Sequence, residues 1–207
     1  MDDCTRLLDA GSSVDIIYVD LEKAFDTVSH RKLLFKLVRY GIGGMVLQWL
    51  TSFLCGRQQS VRVDDGVSPM VSVASGIPQG TILGPLLFLL FINDLPANID
   101  GCSLSLYADD SKLYGRSDHL SDYLNIYDNL IAAQEWFEAW QLKINLTKCE
   151  VLHVSGGLIK LVDKQFFKFR FRLIMSLTFE IRKSGHRDFN VPMTYPLILR
   201  RPIEYLD

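Results

Sequence analysis

Cysteine is scarce in this sequence, and the few cysteines are widely spaced. The 207 residues include four, at positions 4, 55, 102 and 149, and no CxxC pair occurs. Structural zinc sites and disulfide frameworks need clustered or regularly spaced cysteines, so the sequence predicts neither. Free thiols are typical of intracellular proteins, and we expect this protein in the nucleus or the cytoplasm.

Long apolar runs are also missing. The longest, from Ile82 to Ile92, is far shorter than the roughly 20 apolar residues that a membrane-spanning helix needs. The first four residues, Met-Asp-Asp-Cys, are acidic and lack the apolar core of a secretory signal. The sequence therefore predicts neither a secretory signal nor a membrane partner.

No large excess of either charge is present, but the charges are unevenly distributed. The formal net charge is −2. Residues 1–158 hold 12 of the 22 Lys and Arg residues and 19 of the 24 Asp and Glu residues. Strong nucleic-acid binders usually carry a basic footprint, so this acidic part is not predicted to hold a nucleic-acid backbone tightly unless bound cations reverse the local charge. The change of charge places a predicted domain boundary near residue 158.

Two neighbouring aspartates give the strongest chemical signal. Asp109 and Asp110 lie between two short runs of alternating apolar and polar residues, which predicts a β-hairpin with the acidic pair at its tip. Asp20 ends a separate apolar run, residues 15–20, which predicts a buried strand. If the two segments are neighbours in one sheet, three carboxylates meet at its end. Such oxygens hold Mg²⁺ ions, and a pair of these ions promotes nucleotidyl transfer.

The order of the predicted elements indicates an α+β fold. Ser29 suits the N-cap of one helix, an apolar helix through Pro85 should be buried, and a long helix is predicted over residues 121–140. Another helix has an apolar face formed by Met45, Val46, Trp49, Leu50 and Phe53. With strands before, between and after these helices, the chain predicts an antiparallel sheet with helices packed on one side.

Four ordered segments resemble the palm of a reverse transcriptase. They are residues 18–26, 75–80 (Ser-Gly-Ile-Pro-Gln-Gly), 107–110 (Tyr-Ala-Asp-Asp) and 142–149. Residues 23–28, 79–88 and 91–96 are most similar to the non-LTR (LINE-type) retrotransposon enzymes. The resemblance covers about residues 11–155. It implies a polymerase palm-like sheet and an RNA-directed DNA polymerase.

The resemblance assigns the carboxylates to two Mg²⁺ ions. Asp20 and Asp109 match the first and second metal-binding aspartates of that family, and Asp110 matches the third carboxylate. In such sites the two ions stabilise the attacking and leaving oxygens. Phe25 matches the aromatic residue that acts as a steric gate under the sugar. The resemblance therefore implies dNTPs rather than ribonucleotides as substrates.

Other matches concern the template and the nucleotide. Pro78, Gln79 and Gly80 match the loop beside the templating base and the incoming nucleotide. Lys148 matches a lysine near the triphosphate, a candidate general acid. The implied partners are an RNA template, a DNA primer and dNTPs. Asp26 is predicted to serve in a turn rather than as a metal ligand.

Parts of the family pattern are not found in this sequence. The resemblance implies a partial palm over residues 1–158, with most of the fingers missing, and a divergent tail over residues 159–207 that does not resemble the thumb. We therefore expect a truncated domain that shows no polymerase activity alone. A catalytically inactive retroelement remnant, an RNA-binding module of the same descent and another two-metal enzyme stay as alternatives, although the Pro-Gln-Gly block disfavours the last.

Overall fold

A computed structural model describes residues 2–156 and 158–161, which form both helices and strands. The helices are α1 (Asp2–Asp9), α2 (Ala24–Thr27), α3 (His30–Arg39), α4 (Gly44–Leu54), α5 (Leu83–Ile92) and α6 (Leu120–Ala139). The strands are β1 (Val14–Val19), β2 (Gln58–Gln59), β3 (Arg62–Val63), β4 (Gly66–Val67), β5 (Val71–Ser72), β6 (Ser103–Tyr107), β7 (Asp110–Arg116), β8 (Glu150–Ser155) and β9 (Leu158–Leu161).

Five strands form one antiparallel sheet in the order β6-β7-β1-β8-β9. In the central strand, Ile17 pairs with Leu113 of β7 on one side and with Val151 of β8 on the other. Successive side chains of a strand point to opposite faces, so these three share one face. They are buried in a single core with apolar residues of α3, α4, α5 and α6. The predicted α+β fold, an antiparallel sheet covered by helices, is confirmed.

The other face of the sheet is partly covered by α1, which the sequence pattern does not predict. Val14 and Tyr114 point to this face and are buried, although neither belongs to the main core. Helix α1 contacts β1 and β7. The charge of Lys112 on β7 also acts on the Cys4 thiol of α1. Lys112 is two positions from Tyr114 and therefore lies on the same face of the sheet.

Helix α4 buries only part of its predicted apolar face. Leu50 lies in the core, whereas Met45, Val46 and Trp49 are exposed, and the Trp49 ring stacks on Phe53 with centroids 6.0 Å apart. A helix at the edge of a core buries one stripe of side chains, and the apolar surface of α4 is wider than that stripe. Trp49 therefore packs on Phe53 at the surface rather than in the core.

Helix α5 is also less buried than predicted. Phe88 and Phe91 are fully buried, but Leu86 and Leu89 remain 52 % and 47 % exposed. Only one side of α5 therefore faces the core, and the opposite side is apolar surface. The prediction of a wholly buried helix is wrong for these two leucines.

Residues 58–72, between α4 and α5, form two short ladders rather than one continuous strand pair. Strand β2 pairs with β5, and β3 pairs with β4 around the loop Asp64-Asp65. The strand residues in both ladders are exposed. Short two-stranded ribbons without a buried face are marginally stable. Single backbone hydrogen bonds continue the ladders, from the Ser68 N–H to the Val61 carbonyl and from the Val73 N–H to the Arg57 carbonyl.

A buried lysine joins three helices. The Lys36 side chain is 3 % exposed, and its Nζ lies 3.7 Å from the centroid of the Trp140 ring, with Trp136 and Phe91 also within 5 Å. Nζ donates to the Phe91 carbonyl and forms an ion pair with Asp94. Burial lowers the pKa of Lys36 to about 8, although Asp94 acts in the opposite direction.

Strand β9 crosses the predicted boundary near residue 158 by pairing with β8. The rest of the predicted tail, residues 162–207, lies outside the described residues, so the boundary stays a prediction. Within the described part, no helix combines the length and the apolar content needed to cross a membrane.

Candidate active site at the end of the sheet

The ends of β1 and β7 bring two of the predicted carboxylates side by side. Val19, the last residue of β1, pairs with Ser111 of β7. Continuing this antiparallel register by one residue places Asp20 opposite Asp110. Val19 and Ser111 are buried on the core side, so Asp20 and Asp110 lie on the opposite face of the sheet. The condition under which the sequence brings the carboxylates together, that these segments are neighbours in one sheet, is therefore met.

Asp109 lies in the hairpin loop between β6 and β7. Tyr107 pairs with Asp110 across the hairpin, which leaves Ala108 and Asp109 as a two-residue loop. Ala108 has φ = +53°, a left-handed conformation that costs a residue with a β-carbon about 1–2 kcal/mol. Asp109 is half-buried and Asp110 is exposed. The tight loop therefore fixes the acidic pair at the same end of the sheet as Asp20.

Asp20 has one carboxylate oxygen without a hydrogen-bond partner. Its Oδ2 is buried, and no donor lies within hydrogen-bond distance. The ammonium of Lys148 lies 3.8 Å from this oxygen, and the two side chains are 69 % and 27 % exposed, respectively. A buried charged oxygen is costly unless it has a partner. This oxygen is therefore suited to a bound cation.

The site does not form a ready-made cage for a metal. Among the described residues, no group of three or more His, Cys, Asp or Glu side chains is arranged to hold a metal ion. Mg²⁺ is usually held by only one or two carboxylates, with waters and substrate phosphates as the other ligands. The unpartnered Asp20 oxygen and the neighbouring Asp109 and Asp110 fit that mode of binding, in which the substrate completes the site.

A turn before β8 positions Lys148 beside Asp20. The Asn145 N–H donates to the Asp20 carbonyl at 2.8 Å, and the Asn145 carbonyl accepts from the N–H of Lys148 at 3.0 Å. The Asn145 side-chain oxygen accepts from the Thr147 backbone N–H at 3.2 Å and from the Thr147 hydroxyl at 2.6 Å. Sequence reasoning did not single out Asn145, although an Asn that bonds the backbone two residues on is a known turn signal.

Cys149, next to Lys148, is also close to the site but is not a candidate ligand. Its thiol is buried and donates to the Asn145 carbonyl at 3.3 Å. Burial raises the pKa of Cys149 above its usual range, although a hydrogen bond from the Asp20 backbone acts in the opposite direction; the negative charge of Asp20 adds a smaller increase. The thiol therefore stays protonated, and a metal would require the thiolate.

Phe25 lies on α2, the short helix that follows Asp20. Its half-buried ring stacks on Phe88 of α5 with centroids 4.5 Å apart and an interplanar angle of 22°. Since Phe88 is fully buried, the core supports one face of the Phe25 ring. This support would keep the ring in place if it served as the predicted gate.

The loop of residues 75–80 is docked on α2. The Ile77 N–H donates to the Phe25 carbonyl at 2.8 Å, and the Gly76 N–H donates to the Val28 carbonyl at 2.9 Å. Gly76 has φ = +91°, and a β-carbon there would lie 2.8 Å from the Asp26 carbonyl oxygen. Only glycine permits both this conformation and this approach.

Two further side chains bind the same loop. The Gly76 carbonyl accepts from His30 Nε2 at 2.8 Å and from the Arg57 guanidinium at 2.9 Å. His30 is buried. Sequence spacing does not show that the start of α3 meets this loop, so the sequence does not predict the contact of His30.

The three residues of this loop that are predicted to bind substrate, Pro78, Gln79 and Gly80, differ in burial. Pro78 is half-buried, and its carbonyl accepts from the Thr81 hydroxyl at 2.8 Å. Gln79 and Gly80 are exposed. The Gln79 amide donates to the Asp26 carboxylate at 2.9 Å. Asp26 thus takes part in the α2 turn, as predicted, and also holds the side chain of Gln79.

The comparison with known families agrees with this arrangement. The sequence profile of the family described as "Reverse transcriptase (RNA-dependent DNA polymerase)" matches residues 5–206. This chain belongs to the reverse transcriptase family. As a family member, this reverse transcriptase domain is expected to use divalent metal ions; the roles of its individual aspartates stay predictions.

Similar proteins come from non-LTR retrotransposons. The domain is 34 % identical over 140 residues to the RNA-directed DNA polymerase from mobile element jockey of Drosophila melanogaster. It is 34 % identical over 137 residues to the probable RNA-directed DNA polymerase from transposon X-element of the same species. Each match covers 64 % of this chain and 15 % of the relative. The chain thus spans a small part of the length of these relatives.

A solved structure shows the same fold at low sequence identity. Telomerase from Candida albicans, in a complex with a fragment of telomeric RNA, superimposes with a TM-score of 0.60 at 15 % identity. The match covers 79 % of this reverse transcriptase domain and 33 % of the telomerase chain. This likeness establishes the palm-like fold.

Proposed function

We propose that this chain supplies the catalytic palm of an RNA-directed DNA polymerase. In this proposal Asp20, Asp109 and Asp110 hold two Mg²⁺ ions, which would stabilise the attacking and leaving oxygens of nucleotidyl transfer. The observation that carries it is the β1–β7 register, which ends at the Val19–Ser111 pair, one residue before Asp20 and Asp110 and beside the Asp109 loop. The unpartnered Asp20 oxygen supports it.

The neighbouring α2 and the 75–80 loop are proposed to bind the dNTP and the template. The Phe25 ring, backed by Phe88, would meet a 2′-hydroxyl and so favour deoxynucleotides. Pro78, Gln79 and Gly80 would lie beside the templating base. Phosphoryl transfer depends on positioning and charge stabilisation, and the docking of this loop on α2 provides rigid positions for these groups.

The proposed partners are an RNA template, a DNA primer and dNTPs. Family membership supports the RNA template, and the telomerase to which the fold is similar is bound to RNA. Lys148 would contact the triphosphate because it lies next to Asp20 on an exposed side chain. There the lysine could also supply a proton to the leaving group.

Metal binding tests this proposal without requiring a complete polymerase. Free Mn²⁺ is counted by electron paramagnetic resonance in titrations of the wild-type chain, Asp20→Asn and Asp109→Asn. We expect saturable binding that each substitution weakens on the order of tenfold, because Mg²⁺-type sites rest on few carboxylates. Asp65→Asn, in the exposed β3–β4 loop, is the control and should bind as wild type. Equal binding by all four proteins would contradict the proposal.

A further inference from the structure

The ion pair between Lys148 and Asp20 has an unusual geometry. The Nζ to Oδ2 distance of 3.8 Å is too long for a hydrogen bond, and Oδ2 has no other partner. The contact is therefore one of charge alone. The ammonium of Lys148 balances the charge of an Asp20 oxygen that is buried from water, but it does not donate a hydrogen bond to that oxygen.

The backbones of both partners of this ion pair are fixed, but the Lys148 side chain can move. The Asp20 backbone is fixed at the end of β1, and its carbonyl accepts from the Asn145 N–H at 2.8 Å. The backbone of Lys148 is fixed by the same turn through its own hydrogen bond to Asn145. The Lys148 side chain is 69 % exposed, so the ammonium can leave Asp20 by side-chain rotation alone.

We propose that Lys148 is the resident counter-ion of Asp20 in the metal-free chain, and that a divalent cation displaces it. This inference rests on the proposed function, because it takes Asp20 to be a metal ligand. A divalent cation would replace a distant single charge with a direct ligand bond to the unpartnered oxygen. The displaced ammonium is then free to meet the anionic substrate that arrives with the metal.

Competition of this kind predicts tighter metal binding when the lysine is removed. Exposed ion pairs shift equilibria by about 1.5- to fivefold, so Lys148→Gln should bind Mn²⁺ tighter than wild type by about that factor. Lys143→Gln is a matched control. Lys143 lies in the same segment, is 73 % exposed and pairs with Glu22 at 2.7 Å. The control removes the same charge but no contact to Asp20.

The first experiment is a Mn²⁺ titration of the full 207-residue chain as wild type, Lys148→Gln and Lys143→Gln at fixed ionic strength. Tighter binding by Lys148→Gln than by Lys143→Gln supports the inference. Equal affinities of the two variants overturn it while leaving the proposed metal site intact. If the wild type and both variants fail to bind Mn²⁺, both the inference and the proposed metal site are overturned.

A second experiment follows the lysine itself. Lysines are labelled with an acylating ester with and without Mg²⁺, and the extent of labelling at each site is measured by mass spectrometry. Mg²⁺ should increase labelling of Lys148 and leave Lys143 unchanged. In Asp20→Asn, Lys148 should be labelled at the higher level with or without Mg²⁺. Labelling of Lys148 that does not respond to Mg²⁺ in a wild-type chain that binds the metal would overturn the inference.

Discussion

The Gln79 side chain donates a hydrogen bond of 2.9 Å to the carboxylate of Asp26, a residue next to Phe25. Together with the Ile77–Phe25 and Gly76–Val28 backbone bonds, this contact makes α2 and the 75–80 loop one structural unit. The predicted gate and the predicted template loop therefore cannot move independently. Their relative position is set by the protein before any substrate binds.

Gly76 should be the residue of this unit least tolerant of substitution. Alanine at position 76 would have φ = +91° and a β-carbon 2.8 Å from the Asp26 carbonyl oxygen. Gly80→Ala is the matched control, since Gly80 also has positive φ (+74°) but open space around it. We expect Gly76→Ala to lower the free energy of unfolding by about 1–3 kcal/mol more than Gly80→Ala, measured by urea denaturation. Similar losses for both variants would show that the loop can move away from α2.

Two substitutions of Lys36 should distinguish the effect of its side-chain volume on stability from the effect of its charge. Lys36→Met keeps most of the side-chain volume between the three rings, and Asp94, whose side chain is 42 % exposed, can return to water. Apolar replacements of buried ion pairs are often neutral or stabilising. We therefore expect Lys36→Met to unfold at the same or higher urea concentration than wild type at pH 7. Lys36→Ala leaves a cavity and should lose about 2–5 kcal/mol; equal losses in both variants would contradict this account.

Stability should also depend on pH through Lys36. Burial lowers its pKa to about 8 in the folded chain from an ordinary value of 10.5. Between these two pKa values Lys36 binds more protons in the unfolded chain than in the folded chain. The contribution of Lys36 to the free energy of unfolding therefore rises with pH. The difference between wild type and Lys36→Met should shift in favour of wild type by up to about 3 kcal/mol from pH 7.5 to 10.5. A pH-independent difference would contradict a lowered pKa.

A primer-extension assay distinguishes an active polymerase from a catalytically inactive remnant or an RNA-binding module. The chain spans 15 % of the length of its jockey relative, and loss of positioning removes several kcal/mol of rate acceleration. We therefore expect no detectable dNTP incorporation by the chain alone on a primed RNA template with Mg²⁺. Incorporation that Asp109→Asn abolishes would instead show that the chain is an active polymerase by itself.

The sequence was sufficient for the fold class because its patterns are local. The alternating runs on both sides of Asp109 predict the hairpin, and the helical spacing over residues 121–140 predicts α6, which spans Leu120–Ala139. The segment order and its resemblance to the palm supply the pairing of β1 with β7. The neighbouring placement of Asp20 and Asp110 follows from that register.

Contacts between side chains that are far apart in the sequence could not be predicted from it. Nothing in the local pattern indicates that Asp26 holds Gln79 or that His30 reaches the Gly76 carbonyl. The exposure of Trp49 was missed for a related reason. An apolar helix face is a pattern of one segment, whereas its burial depends on which other elements the fold places against it.

The most direct test of the central claim is whether one cation touches both segments of the site. In ¹⁵N-labelled chain, a substoichiometric amount of Mn²⁺ broadens the amide signals of residues near the bound ion. We expect the strongest broadening both next to Asp20 and within residues 108–111, and weaker effects at Asp15 and His153, which pair further along the sheet. Asp20→Asn should reduce the broadening in both segments together. Strongest broadening in one segment alone, or at the Asp15–His153 pair, would contradict a shared metal site and with it the proposed polymerase palm.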